Sequence, residues 1–223
     1  MRSYNKSIVN LILSLALLAA CPGLAAAEEQ KPIQPPAAKV RQPKEPGIEP
    51  LKETDDVAVI ATNFGSIVIR FFPEIAPNHV KNFIALAQSK FYDGTTFHRV
   101  IPGFMIQGGS PNSKDDDPAN DGIGRGPRMI DAEFSRVNHV RGIVSAARGG
   151  DPNSASCQFF IMVAAAPHLD GQYSAFGEVV KGLEVADKIV ALPRDKGDNP
   201  GKASLVKSVT IQKAGEVLKF PLN

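Results

Sequence analysis

The stretch 97–109 reads FHRVIPGFMIQGG. Arg99 stands among Phe97, Val100, Ile101, Phe104, Met105 and Ile106, and a second polar side chain, Gln107, lies further along the same run. Pro102 and Gly103 interrupt the apolar residues, as in a turn between two short strands. Side chains alternate along a regular strand, so Met105 and Gln107 should point one way and Phe104 and Ile106 the other. A guanidinium carries five fixed N–H donors and a permanent charge. Beside an apolar pocket, Arg99 is placed to hydrogen-bond a neutral polar ligand. Taken alone, the pattern equally fits a strand-edge charge whose stem lies along a core.

Two further stretches decide between these readings. Residues 156–171 read SCQFFIMVAAAPHLDG and residues 173–180 read YSAFGEVV. With 97–109, and in this order, they resemble the cyclophilin family of peptidyl-prolyl cis–trans isomerases, over about residues 56–214. The resemblance implies a fold dominated by β-structure, a closed eight-stranded antiparallel β-barrel capped by two α-helices. It implies a catalytic role for Arg99 and Gln107 on an X–Pro bond. Matched position by position, Phe104, Met105, Phe160 and Leu169 would wall a proline pocket. Gln107 and the backbone at Ala147, Arg148 and Gly149 would hold the peptide, with Gly122 and Gln158 lining the groove. Three positions depart from the better-known members: His168 stands for a common tryptophan, Tyr173 for a histidine and Arg148 for an asparagine. The indole that many members present to the cyclic peptide cyclosporin is thereby absent, and weak cyclosporin binding is expected.

The chain has 223 residues, 43% hydrophobic and 22% charged, enough for one domain with a substantial core. Its formal net charge is +2. Arg2 and Lys6 are the only charges in residues 1–27, so the remainder carries 23 residues of each sign. That balance offers no electrostatic reason to expect nucleic acid or an anionic membrane as partner. A monomer acting on proline-containing polypeptides is expected.

Residues 1–27 read as an export signal, implying a periplasmic protein. Arg2 and Lys6 form a basic start, residues 8–20 are a 13-residue apolar run, and Ala25, Ala26 and Ala27 offer a cleavage site. Leu18-Ala19-Ala20-Cys21 admits the alternative of a lipid anchor on Cys21. Either way Cys157 has no partner for an internal disulfide, and it reads as a small buried hydrophobe. Residues 28–54 carry Pro32, Pro35, Pro36, Pro43, Pro46 and Pro50 among charges without hydrophobic periodicity, which reads as a linker lacking order. The isomerase domain would then be 55–223.

Within it, residues 57–62 and 65–71 read as a hairpin. Pro77 opens a helix with Val80, Phe83, Ile84 and Ala87 on one face. Residues 110–128 read as a long polar loop. Their glycines lack the strand and helix of a nucleotide site, and Asp115, Asp116 and Asp117 lack the spacing of a calcium loop. Strands are expected over 141–147, 158–163 and 174–180, a second helix around Leu183, Ala186, Ile189 and Val190, and a closing strand within 204–214.

Neither a metal nor a cofactor is expected, since no cluster of ligating residues accompanies His168. His79, His98 and His139 read as structural or exposed. The absence of a G-x-S-x-G elbow disfavours a serine hydrolase. Two other function classes stand beside the isomerase. One is a non-catalytic peptide-binding or chaperone module using the same groove, for which Arg99 would be superfluous. The other is a barrel carrying a small apolar ligand, against which the many Val, Ile and Phe residues weigh by filling the interior.

Overall fold

The computed structural model describes residues 48–218. The stretch read as an export signal, and most of the stretch read as a linker, lie outside the described residues. The linker's last residues, 48–54, are ordered. Ile48 and Leu51 pack against hydrophobic clusters, and the Glu53 carbonyl accepts from the Gly215 N–H at 2.9 Å.

Among the described residues are eight strands: β1 (Asp56–Thr62), β2 (Gly65–Phe71), β3 (Arg99–Ile101), β4 (Met105–Gly108), β5 (Ile143–Ala146), β6 (Phe159–Met162), β7 (Ala175–Lys181) and β8 (Val206–Lys213). All pairings are antiparallel, in the spatial order β3-β4-β6-β5-β7-β2-β1-β8. The expected closed barrel is corrected to a curled half-barrel, because among the described residues no ladder joins β3 to β8. Next to this seam lies one isolated bridge, Thr96 to Leu205. β3 has only three residues, and its Val100 N–H donates to the Asp198 carbonyl at 2.8 Å, so a loop occupies an edge that a partner strand would need.

The expected hairpin is β1–β2. The Thr62 hydroxyl accepts from the Phe64 N–H and donates to the Gly65 carbonyl, fixing the turn. Pro77 does open α1 (Pro77–Gln88), which buries Val80, Phe83, Leu86 and Ala87, with Ile84 half-buried. Neither its N-cap residue nor its first turn supplies a carboxylate. Glu133 does so from a distant loop: its Oε1 and Oε2 accept from the Asn78 and His79 N–H groups, each at 3.0 Å. α2 (Leu183–Val190) buries Val185, Ala186, Ile189 and Val190. A third short helix, α3 (Ala214–Val217), ends the fold where the sequence reading had only two.

The central strands are buried on both faces. On the inner face Val100, Ile106, Val144 and Ile161 join α1 and α2 around an aromatic knot of Phe83, Tyr92, Phe159 and Phe176. Buried side chains fill the inner face, which weighs against the apolar-ligand reading. Cys157 belongs to this cluster as a free, buried thiol, and burial pushes its pKa up. On the outer face Met105, Phe160, Met162 and Leu169 form a smaller cluster with Phe72, Val137, Ile143 and Ala175.

Candidate active site

Cross-strand register assembles the site. Arg99 on β3 lies opposite Gln107 on β4, Gln107 opposite Phe160 on β6, and Phe160 opposite Ser145 on β5. Directly opposed residues of antiparallel strands project to the same face, so these four form one row across the outer face. Met105, two positions from Gln107, shares that face. Phe104 does not follow the expected alternation, because the regular strand begins at Met105. It sits in the turn that Gly103, with φ 71°, permits, and this frees its ring to join the outer cluster.

Above the row lies a cavity of about 360 Å³. Phe104, Met105, Phe160, Leu169 and Tyr173 supply its apolar wall, and Phe160 meets Tyr173 edge-on at 5.6 Å between centroids. Arg99, Gln107, Gly122, Ala147 and Arg148 complete the mouth. Arg99 is exposed, and its guanidinium makes no hydrogen bond or ion pair with any described residue. A second hollow of about 460 Å³ shares Gln107, Gly122, Ala147 and Arg148 with the first, and adds Gly149 and Gln158. The Gln107 amide donates to Gln158 Oε1 at 2.9 Å, and Gln158 Nε2 donates to the Gly122 and Gly124 carbonyls at 3.0 and 2.8 Å. This chain ties the strands to the loop 110–128.

His168 is the sequence-derived site residue that lines neither hollow. It is exposed, on a short 3-10 turn, with its ring 5.7 Å from that of Phe104. Arg148 contributes more than backbone. Its Nε and Nη2 donate to the Gln172 carbonyl at 3.1 and 3.0 Å, its Nη1 donates to the Gly149 carbonyl at 2.9 Å, and its guanidinium lies 4.7 Å from the Tyr173 centroid.

Six cavity residues escaped the sequence reading of the site: His98, Pro118, Asp121, Asp195, Gly197 and Asn199. Asn199 Nδ2 donates to Asp121 Oδ2 at 2.7 Å, joining two loops far apart in sequence. No local pattern announces such a pair. His98, between Phe97 and Arg99, could have been noticed as a polar residue inside an apolar run. Burial pushes its imidazole below its usual value, while the Asp121 carboxylate pulls the other way.

The profile of the family "Cyclophilin type peptidyl-prolyl cis-trans isomerase/CLD" matches residues 57–216. The chain belongs to the cyclophilin family. Peptidyl-prolyl cis-trans isomerase ppi1 of Schizosaccharomyces pombe is 39% identical over 160 residues, covering 68% of this chain and 97% of that protein. Peptidyl-prolyl cis-trans isomerase CYP18-1 of Arabidopsis thaliana is 40% identical, covering 67% and 92%. Other cyclophilin relatives are much longer: the chain spans 26% of Peptidyl-prolyl cis-trans isomerase-like 2 of Gibberella zeae. Among solved structures, a Cryptosporidium parvum cyclophilin crystallised in the presence of the dipeptide Ala-Pro superposes with a TM-score of 0.64, at 33% identity, over 70% of this chain and 99% of that one. These curated relatives come from fungi and a plant, and others from rat and mouse. They overturn the expectation of a bacterial periplasmic or lipid-anchored protein, which is set aside.

Proposed function

We propose that this cyclophilin domain accelerates cis–trans exchange of X–Pro bonds in proline-containing polypeptides, with Arg99 acting on the twisted amide. The observation that carries the reading is an unpaired guanidinium sharing one sheet row with Gln107 and Phe160, at the mouth of an aromatic-walled cavity. Amide resonance opposes the rotation with a barrier of about 18–20 kcal/mol. A 10⁴- to 10⁵-fold acceleration requires removing about 5.5–7 kcal/mol. No covalent bond is made or broken, so the enzyme needs only to favour the twisted amide over the planar one.

In this reading the cavity residues divide the labour. Phe104, Met105, Phe160 and Leu169 grip the proline ring. Once the amide twists, its nitrogen lone pair is localised and accepts a hydrogen bond from Arg99, which a water-poor pocket strengthens. Gln107, held by Gln158, orients the carbonyl side. Gly122, Ala147, Arg148, Gly149 and Tyr173 border the path of the peptide. His168 stands clear of the cavity and offers less apolar area than an indole, so cyclosporin should bind weakly. We read residues 55–223 as one isomerase domain, a monomer that assists folding of its clients.

A protease-coupled isomerisation assay on a short X–Pro peptide tests the proposal. Turnover by wild type that collapses in a folded Arg99→Ala variant is expected. Peptide binding without acceleration would leave a docking module instead.

A further inference from the structure

The outer row ends on a buried hydroxyl whose partner is a histidine that no cavity exposes. Ser145 Oγ lies 2.9 Å from His139 Nε2, and His139 Nδ1 lies 3.1 Å from Asp170 Oδ1. The same carboxylate oxygen accepts from the His139 backbone N–H at 2.7 Å. The His139 side chain is 1% exposed and Ser145 is wholly buried. Facing a carboxylate, Nδ1 carries the proton, and Nε2 accepts from the Ser145 hydroxyl. Burial pushes the His139 imidazole below its usual value, and the neighbouring His168 adds to this against the pull of Asp170.

These three residue types make up a hydrolytic triad, but here the hydroxyl is buried against the imidazole and reaches no solvent. What the imidazole does touch is the aromatic wall. Its ring stacks on Phe160 at 6.2 Å and 25°, and meets Tyr173 edge-on at 6.4 Å. Its backbone carbonyl accepts from the Ala166 N–H at 2.8 Å. One side chain thus joins four cavity-bearing segments: β5 through Ser145, β6 through Phe160, the turn of Leu169 through Asp170, and Tyr173.

We infer that His139 is a positioning residue for isomerisation, its two hydrogen bonds fixing the ring plane against which Phe160 and Tyr173 are set. The inference rests on the isomerase reading given above. A Phe160 ring free to change rotamer still offers apolar area to a bound proline, so ground-state binding survives. It no longer holds the proline ring still while the carbonyl turns, so the loss falls on the twisted state.

The test replaces His139 by Phe, which keeps an aromatic ring and removes both side-chain hydrogen bonds. Relative to wild type, His139→Phe should lower kcat about 10- to 100-fold and leave KM within about twofold, in line with the cost of small misplacements. In peptide-free protein carrying 13C-labelled phenylalanine, the Phe160 ring signals should be single and sharp in wild type and broadened or doubled in the variant. Ser145→Ala, which removes one of the two bonds with little change of volume, should move both readouts in the same direction by less. It decides the matter alone if His139→Phe does not fold. Unchanged kcat in a folded variant, a loss confined to KM, or Phe160 signals indifferent to both substitutions would overturn the inference. The NMR arm needs no turnover, so a failure of the isomerase reading would show separately, as inactivity of wild type.

Discussion

Two neighbouring rows of the same sheet do opposite work. Val100, Ile106, Ile161 and Val144 are paired in register across β3, β4, β6 and β5, and each has no exposed surface. One residue along, Arg99, Gln107, Phe160 and Ser145 are paired across the same strands; the first three line the cavity, and Ser145 is buried against His139. The backbone is shared; only the parity of position differs. The inner row is chemically uniform and contributes stability. The outer row carries a charge, an amide, a ring and a hydroxyl, a mixture that costs stability unless each polar group finds a partner. Fold and chemistry can therefore be perturbed separately, one face at a time.

Ile161→Ala should cause the largest change, lowering stability by about 2–5 kcal/mol, because it opens a void in a closed core. Urea unfolding would measure this, and the kcat/KM of the remaining folded protein should match wild type. Equal losses of stability from Phe160→Ala without any rise in KM would erase the distinction between the rows.

Arg99→Ala comes next and reverses the pattern. By analogy with a removed oxyanion donor, worth about 2.7–4 kcal/mol, kcat should fall about 10²–10³-fold with little change in KM. Stability should stay within about 0.5 kcal/mol, since no described contact is lost. Arg99→Lys should recover only part of the activity, as an ammonium lacks the planar fork. A loss confined to KM would reduce Arg99 to a docking group.

A smaller effect concerns pH. Burial opposes ionisation of Glu133, but the Asn78 and His79 N–H groups and the His79 ring together outweigh it and hold the carboxyl below its usual value. A depressed carboxylate contributes stability above its unfolded pKa and loses it as pH falls through the folded value. Thermal scans should show Tm declining as pH drops below the ordinary carboxylate range, and Glu133→Gln should flatten that decline. An unchanged slope would mean that the cap at α1 depends on shape and not on charge.

The smallest shift is expected from His168→Trp. An indole presents more apolar area than an imidazole, so cyclosporin affinity measured by calorimetry should rise severalfold. Equal affinities would show that this exposed position does not reach the drug.

Much of this was legible in the chain, and the limits have a physical shape. Pro77 and the hydrophobic spacing behind it announced α1, and the apolar runs about Asn63 and Phe64 announced the β1–β2 hairpin, because those signals are local. Arg99, Gln107 and the wall residues were legible through the resemblance carried by 97–109 and 156–180. What stayed hidden depends on chain segments meeting in space. The Asp121–Asn199 pair, the Glu133 cap and the Asp170–His139–Ser145 relay join residues with no periodic relation. The open seam was hidden for the same reason, since the loop that takes the edge of β3 arrives from residues 195–199.

That seam has a consequence for assembly. A sheet with two free ends offers two sites where another chain's strand can add, the usual route to edge-to-edge aggregation. Both ends here are already spoken for by short loops. The Val100 N–H on β3 is held by the Asp198 carbonyl, and the Val209 N–H on β8 by the Asp93 carboxylate at 3.1 Å. Exposed Lys207 and Lys213 add charge along β8. An incoming strand would have to displace these contacts first, so a half-barrel left open by its own topology is guarded against polymerising through the gap.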